Sequence, residues 1–231
     1  MSRGRRYEEP KLNMKKVFAV IVAIIVIIMC IVMLKGILSK DTKQGKIVSK
    51  DYFASYQNNK WGVIDSNGDN VIDPSYAEMI IVPNSKNDVF LCTYDVDYDN
   101  NTYKTKALNS ENKEIFTEYD HVEAISNKDT DNNLWYENDV VRVEKNGLYG
   151  LIDLSGKELL QCEYAKIEAL EGVQNTFKIT KDGKVGIADN KGNVLITPSY
   201  AEITSLDKDK SQGFIVKSSD GKYGIVDTAN K

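Results

Sequence analysis

The sequence predicts an all-β repeat domain preceded by one transmembrane α-helix. An apolar run without charges covers residues 17–34, and a motif recurs about every forty residues from residue 60 onward. The 231-residue chain has one histidine and three cysteines, and no Cys-x-x-Cys pair. Zinc sites, iron–sulfur sites and catalytic triads that need histidine are therefore not expected. We predict no catalytic, metal-binding or cofactor-binding residue, and a protein that is not an enzyme.

Charge divides the chain into two parts. Residues 1–46 carry ten lysines or arginines against three acids, a net charge of +7, and the overall charge of −4 leaves −11 for residues 47–231. Because an acidic domain repels phosphate, no nucleic-acid partner is expected. The basic end is typical of segments that lie near an anionic membrane surface.

Residues 17–38 are predicted to cross the lipid bilayer as a helix. The charge-free run of 18 residues spans about 27 Å at about 1.5 Å per residue. Residues 36–38 extend it past Lys35, whose long stem can snorkel. A cleaved signal peptide is disfavoured because no small-x-small cleavage site follows the run. A buried core helix is disfavoured because no polar face interrupts the run.

The flanking charges favour a cytoplasmic N-terminus only slightly, since six bases precede the charge-free run 17–34 and five, beginning with Lys35, follow it. Lys15 and Lys16 lie directly before the span, and the tail that precedes it is short. We therefore expect a single-pass protein of the cell membrane. Residues 1–16 would form a basic cytoplasmic tail, residues 39–46 a linker, and residues 47–231 an extracytoplasmic β domain.

A repeated motif organises this domain. Copies begin at Lys60, Leu148, Lys184 and Lys222, and a degenerate copy has Lys106 where the others have glycine. Each copy is expected to contain an alternating strand, a mostly aromatic residue followed by an anchor glycine, an aspartate turn closed by a turn glycine, and a strand that leads to a tyrosine. We interpret the aspartates as turn formers rather than catalytic groups. The residues that define the pattern are Trp61, Gly62, Asp65, Gly68, Tyr76, Tyr149, Gly150, Asp153, Gly156, Tyr164, Gly186, Asp189, Gly192, Tyr200, Tyr223, Gly224 and Asp227.

The copy KWGVIDSNGDNVIDPSY at residues 60–76 resembles the WG-repeat family of bacterial β-rich repeats, and the likeness extends over residues 45–231. The resemblance implies a binding or scaffolding surface and gives no catalytic residue. The expected function is therefore the membrane-anchored display of a surface for protein or cell-envelope partners. The alternatives are an envelope hydrolase with carboxylates at the centre of a ring, and a purely structural spacer. The oligomeric state stays open.

Strand counting favours a propeller-like ring of about five repeats, with an open β-solenoid or meander as the alternative. Residues 45–52 resemble residues 112–119, the strand that follows the turn in the degenerate copy. The two chain ends are therefore expected to complete one unit. Against this, Tyr52 and Phe53 leave no room for a further strand between the two units.

Few other residues suggest a site. His121 occupies a position that holds charged residues in other copies, and we expect it to face solvent. Cys92 is expected to be a buried apolar thiol, and its pairing with Cys162 in a disulfide stays open. The acidic insertions 95–101 and 129–133 are expected to be solvated and irregular rather than calcium loops. Aromatic residues in or near these insertions are the candidate partner contacts, namely Tyr98, Tyr103 and Trp135.

Overall fold

A computed structural model describes residues 51–129, 131–206 and 213–227. The predicted tail, transmembrane helix and linker lie outside these residues. The described part consists of strands, turns and connecting segments without an α-helix, so the all-β class is confirmed. Within that part, no helix has the length and apolar character needed to cross a membrane.

Nineteen short strands follow one another in the described part of the chain. They are β1 (Tyr52–Gln57), β2 (Lys60–Asp65), β3 (Asn70–Tyr76), β4 (Phe90–Asp97), β5 (Thr102–Leu108), β6 (Glu114–Ile115), β7 (His121–Glu123), β8 (Ser126–Lys128), β9 (Leu134–Tyr136), β10 (Val140–Lys145), β11 (Leu148–Asp153), β12 (Glu158–Tyr164), β13 (Lys166–Ala169), β14 (Thr176–Lys181), β15 (Lys184–Asp189), β16 (Val194–Tyr200), β17 (Glu202–Ser205), β18 (Phe214–Lys217) and β19 (Tyr223–Val226).

Antiparallel pairing groups these strands into five successive sheets and one hairpin. The sheets have the strand orders β1-β2-β3, β4-β5-β6, β7-β10-β11-β12, β13-β14-β15-β16 and β17-β18-β19, and the β8-β9 hairpin is inserted between β7 and β10. Among the described residues no sheet closes on itself, and the first and last sheets share no strand pair. Tyr52, expected in the strand that joins the chain ends, instead begins β1 and pairs with Asp65. The other residues of that expected strand, up to residue 50, lie outside the described part.

The five anchor positions occupy one place in the strand register. Each lies opposite a central residue of the preceding strand, and the degenerate copy follows the same rule. The pairs are Gly62 with Ser55, Lys106 with Cys92, Gly150 with Val143, Gly186 with Ile179 and Gly224 with Val216. The alignment of Lys106 with the anchor glycines is therefore confirmed by backbone pairing.

Glycine is needed at Gly62, Gly150 and Gly186 because the next strand passes directly over these positions. A Cβ atom at Gly186 would lie 2.3 Å from the carbonyl oxygen of Ile196 in β16, where the register of the two strands shifts. A side chain cannot occupy that space. At Lys106, which does carry a Cβ, the following strand β6 has only two residues. Phe116 then continues the chain with a φ of 61°.

In the first four copies, a turn connects the strand that carries the anchor position to the strand that follows it. This turn begins with an aspartate in three copies and with Asn109 in the degenerate copy. In the first copy, Oδ1 of Asp65 accepts hydrogen bonds from the backbone amides of Asn67 at 2.8 Å and Asp69 at 3.0 Å. The amide of Gly68 donates to the Asp65 carbonyl at 3.1 Å, and Gly68 has a φ of 86°. Asn109 makes the equivalent side-chain contacts in the degenerate copy. The turn thus needs a side-chain acceptor at its first position and a left-handed residue at its fourth.

The hydrophobic core lies between successive sheets. Four clusters of buried residues each combine side chains from one sheet and the next. In the central cluster, Leu151 and Leu160 of the third sheet pack with Ile167, Phe177 and Ile179 of the fourth. Each sheet therefore buries its apolar side chains mainly on its neighbours, as in other repeat proteins.

Candidate binding clefts

The second sheet, which belongs to the degenerate copy, borders a cleft of about 380 Å³. The buried residues Leu91 and Val122 line it, together with three tyrosines. Tyr98 and Tyr103 are exposed, and Tyr136 is half-buried. We call this site the tyrosine cleft. An apolar lining with a few polar groups is typical of a binding site.

Two tyrosines of the cleft are held by carboxylates. The hydroxyl of Tyr98 donates a hydrogen bond to Oε1 of Glu78, and the hydroxyl of Tyr103 donates to Oε1 of Glu123 at 2.9 Å. These hydrogen bonds raise the pKa of both phenols because the carboxylates stabilise the protonated hydroxyl. Both hydroxyls are therefore protonated donors at neutral pH.

Arg142, in β10 of the third sheet, connects the cleft to the fourth sheet. Its guanidinium forms an ion pair with Glu123, donates to the carbonyl of Ile167 at 2.9 Å, and lies 5.1 Å from the ring centre of Tyr149. The side chains of Arg142 and Glu123 are largely buried, with 24% and 15% exposure. A largely buried pair with further hydrogen bonds holds its geometry better than an exposed pair. The ion pair therefore fixes one wall of the cleft.

Glu78 and Glu123 bear on the hydrolase alternative, because both carboxylates line the tyrosine cleft. Each already accepts a hydrogen bond from a tyrosine, and Glu123 is also paired with Arg142. General acid catalysis needs a carboxyl group that delivers its proton to a substrate. No contact in the cleft favours that role over a structural one, and the hydrolase alternative stays a prediction.

The third candidate partner contact, Trp135, lies in a second cleft of about 1050 Å³. This cleft is bordered by the β8-β9 hairpin, residues 170–174 and β17. The indole Nε1 of Trp135 is enclosed and has no hydrogen-bond partner among the described residues. Tyr136, the next residue along the chain, lines both clefts. The three candidate contacts are thus divided between two neighbouring clefts.

The β8-β9 hairpin is attached to the fourth sheet by a buried polar network. The side-chain Nδ2 of Asn127 donates to Oε1 of Glu137 at 3.1 Å and to the carbonyls of Leu170 and Val173 at 3.3 and 3.0 Å. Oε2 of Glu137, a fully buried residue, accepts from the backbone amide of Asn175 at 2.9 Å. These hydrogen bonds satisfy polar groups that would otherwise be buried without partners.

The two acidic insertions are more regular than the sequence led us to expect. Asp129 accepts hydrogen bonds from the amides of Asp131 and Asn133, which gives the hairpin the same kind of turn as the repeats. Asp97 likewise accepts from the amides of Asp99 and Asn100. The expectation of irregular loops is therefore wrong. The described residues contain no group of three or more His, Cys, Asp or Glu side chains placed to hold a metal ion.

The two cysteines of the described part, Cys92 and Cys162, differ in burial. Cys92 is almost fully buried, and this burial raises the pKa of its thiol to about 11. Cys162 is half-buried, and both are free thiols, so the disulfide left open by the sequence does not form.

His121, which was expected to face solvent, is only partly exposed. The side chain is half-buried, with its ring edge towards Tyr103 and Nδ1 3.3 Å from Oγ1 of Thr105. The expectation rested on charged residues at this place in other copies, whereas here Tyr103 and Thr105 lie beside the ring.

The aromatic residues of the repeat motif face one another within a sheet. Trp61 lies opposite Tyr76 in the register and packs on Tyr56, with 5.0 Å between ring centres. Tyr149 lies opposite Tyr164 in the same way. Tyr76 also lies 5.7 Å from Nζ of Lys106 in the second sheet, and Tyr164 packs in the cluster between the third and fourth sheets. These aromatic residues do not line the tyrosine cleft, although Tyr149 contacts Arg142, which does.

Comparison with known proteins finds a similarity to one family in two segments of the chain. No curated protein and no solved structure matches the chain significantly. A family model described as "WG containing repeat" matches residues 61–83 and 149–184. These segments begin next to anchor glycines in the first and third sheets. Over these two segments, the chain is similar to the family of WG-containing repeats.

Proposed function

We propose that this chain is a membrane-anchored WG-repeat binding protein. Its regular repeats form the scaffold, and the degenerate copy with its hairpin insertion forms the surface that contacts a protein or cell-envelope partner. The tyrosine cleft carries this proposal. Exposed aromatic side chains held in place by hydrogen bonds are typical of binding surfaces, because little rotational freedom is lost when a partner binds.

The position of the aromatic residues favours binding over a purely structural spacer. Tyr98 is 77% exposed and Tyr103 44%, yet each donates a hydrogen bond to a carboxylate that also lines the cleft. A spacer gains nothing from exposed tyrosines with fixed orientations. The same copy has lost its anchor glycine and carries the insertions, and segments that depart from a repeat often carry function.

We further propose that residues 17–38 hold the protein in a bacterial cell membrane, with the N-terminus in the cytoplasm and the repeats outside it. The charge-free run and the basic tail support this arrangement. Protease added to intact cells should digest the repeat domain, and residues 1–16 should be cut only after lysis. If only the tail is digested in intact cells, the orientation is the opposite of the one proposed.

Binding itself is tested by crosslinking the full chain in cells and identifying what is captured. We expect a specific protein or envelope polymer whose capture is reduced by Tyr103→Ala. The matched change Tyr223→Ala, in an exposed tyrosine of β19 outside the cleft, should leave capture unchanged. If the wild-type chain captures nothing specific while its β-type circular dichroism is intact, the binding function is refuted.

A further inference from the structure

We propose that the tyrosine cleft binds a cationic side chain, lysine or arginine, of a protein partner. This inference rests on the proposed binding function and names the chemistry that the cleft recognises. Three properties of the cleft support it: the supply of hydrogen-bond acceptors, an uncompensated carboxylate and the tyrosine rings.

The cleft has used most of its own strong donors. The hydroxyls of Tyr98 and Tyr103 donate to carboxylates, and the terminal nitrogens of Arg142 donate to Glu123 and to a backbone carbonyl. The carboxylate and phenol oxygens keep further lone pairs that can accept hydrogen bonds. A ligand that complements this wall must therefore be rich in donors.

The net charge of the cleft also favours a cationic ligand. The charged side chains that line the cleft are Glu78, Glu123 and Arg142. Arg142 is paired with Glu123. Among the described residues, Glu78 forms no ion pair and accepts a hydrogen bond only from Tyr98. The cleft thus carries a formal excess of one negative charge, in a domain with a net charge of −11. An ammonium or guanidinium group would compensate Glu78.

The tyrosine rings add to the attraction. The hydroxyl groups of Tyr98 and Tyr103 are held by hydrogen bonds, so their rings are held in the lining of the cleft. A cation near an aromatic face is stabilised by the ring quadrupole. The second sheet already shows this preference, because Nζ of Lys106 lies 4.9 Å from the ring centre of Tyr94 and 5.7 Å from that of Tyr76.

The proposal is tested on the full chain in nonionic detergent with a fluorescent octapeptide of four Gly-Lys units. Fluorescence anisotropy should show saturable binding that is lost when the lysines are acetylated, since acetylation removes the charge and keeps the length. Glu78→Gln should weaken binding about tenfold because a charged hydrogen bond is lost. The matched change Glu202→Gln removes the same charge from the equivalent, exposed position at the start of β17 and should alter affinity less than about twofold.

Two changes at one residue separate the ring from its hydroxyl. Tyr98→Phe keeps the aromatic face and frees an oxygen of Glu78, so binding should persist. Tyr98→Ala removes the face and should weaken binding. Thermal unfolding followed by circular dichroism identifies any variant that has lost its fold, and such a variant is replaced by the more conservative one.

The outcomes distinguish this proposal from the binding function. Equal binding of the acetylated peptide, or equal losses in Glu78→Gln and Glu202→Gln, would overturn the cation site. Capture of a cellular partner that is unaffected by Glu78→Gln would also overturn it, while the binding function would stand. Failure of the wild-type chain to capture any partner in cells would instead count against the binding function, whatever the peptide does.

Discussion

The turn glycine of the fourth sheet, Gly192, lies where one repeat touches the previous one. Gly192 has a φ of 84°, and a Cβ atom there would lie 2.3 Å from the carbonyl oxygen of Leu159 in β12. Gly68 has nearly the same φ, 86°, but nothing lies within 4 Å of its Cβ position. The turn glycine therefore supplies only a left-handed backbone in the first sheet, whereas in the fourth sheet it also leaves room for the neighbouring strand. Both need a left-handed backbone, and only Gly192 also needs the absence of a side chain.

We expect Gly192→Ala to destabilise the domain more than Gly68→Ala. The Gly68 variant should lose about 1 kcal/mol from backbone strain alone. The Gly192 variant should lose about 1–3 kcal/mol more because the added methyl group displaces a neighbouring strand. Urea unfolding of the full chain in detergent measures both. Equal losses would show that the sheets do not meet at this turn.

The turn aspartates make the stability of the domain depend on pH. The hydrogen bond from the backbone of Asp69, with that from Asn67, lowers the pKa of Asp65 below its ordinary value of 3.8. Because the folded-state pKa is depressed, the stabilisation is complete above the unfolded value and is lost as pH falls through the folded value. The contribution of this turn to the stability of the domain should therefore begin to fall as the pH drops below about 4.

Asp65→Asn should make the free energy of unfolding less dependent on pH between about 5 and 2. The amide oxygen accepts the same hydrogen bonds at every pH, as Asn109 does in the degenerate copy. Unfolding followed by circular dichroism at several pH values provides the measurement, with Asp73→Asn as a control on an exposed strand residue. An unchanged pH profile would exclude a contribution of this carboxylate to stability.

Turn positions were predictable from the sequence because local chemistry determines them. An aspartate followed three residues later by glycine predicts a tight reversal whatever the rest of the chain does. The role of Gly192 against Leu159 was not predictable, because it depends on how two sheets pack.

Among the elements, the β8-β9 hairpin departs most from the repeat. It carries Trp135 and Tyr136 to the two clefts, and Asn127 and Glu137 attach it to residues 170–175. The hydrogen bonds at its base are buried, so they are stronger determinants of position than contacts at its exposed tip. The hairpin therefore links the two clefts to the fourth sheet.

Asn127→Ala should release this hairpin. The change leaves the carbonyls of Leu170 and Val173 and one oxygen of Glu137 buried without their partner, at a cost of about 1–3 kcal/mol. Hydrogen exchange should become faster at the amides of Gly172 and Asn175 in particular.

The matched control for this change is Asn133→Ala at the exposed tip, which removes a hydrogen bond to Asp129. It should cost less than about 1 kcal/mol and leave exchange in residues 170–175 unaltered. Similar effects of the two changes would mean that the buried network does not position the hairpin.

The hairpin could not be predicted from the sequence. Its tip is rich in aspartate and asparagine, which is typical of a solvated loop. Its attachment depends on a buried glutamate and a buried asparagine, residue types that are rarely buried. Their hydrogen-bond partners belong to residues 170–175, which connect two strands of the fourth sheet about 40 residues further along the chain. The sequence does not show that this segment lies beside the hairpin.

At the scale of the molecule, the described domain is a series of sheets joined by four apolar clusters. No cluster joins the first sheet to the fifth among the described residues. Packing between neighbours predicts that local damage spreads mainly to adjacent sheets. The fold class and the repeat register followed from the sequence, because period and alternation encode them. The tyrosine cleft did not, because Tyr98 and Glu78, and Tyr103 and Glu123, meet only after the sheets have packed.

Site-specific photocrosslinking in living cells tests the binding role of the cleft most directly. A photoreactive phenylalanine analogue would replace Tyr98 or Tyr103 in the cleft, or the exposed Tyr56 or Tyr223 on the outer sheets. We expect one specific adduct from both cleft positions and none from the outer positions. Adducts of the same kind from all four positions, or from the outer sheets alone, would contradict a binding site built by the degenerate copy.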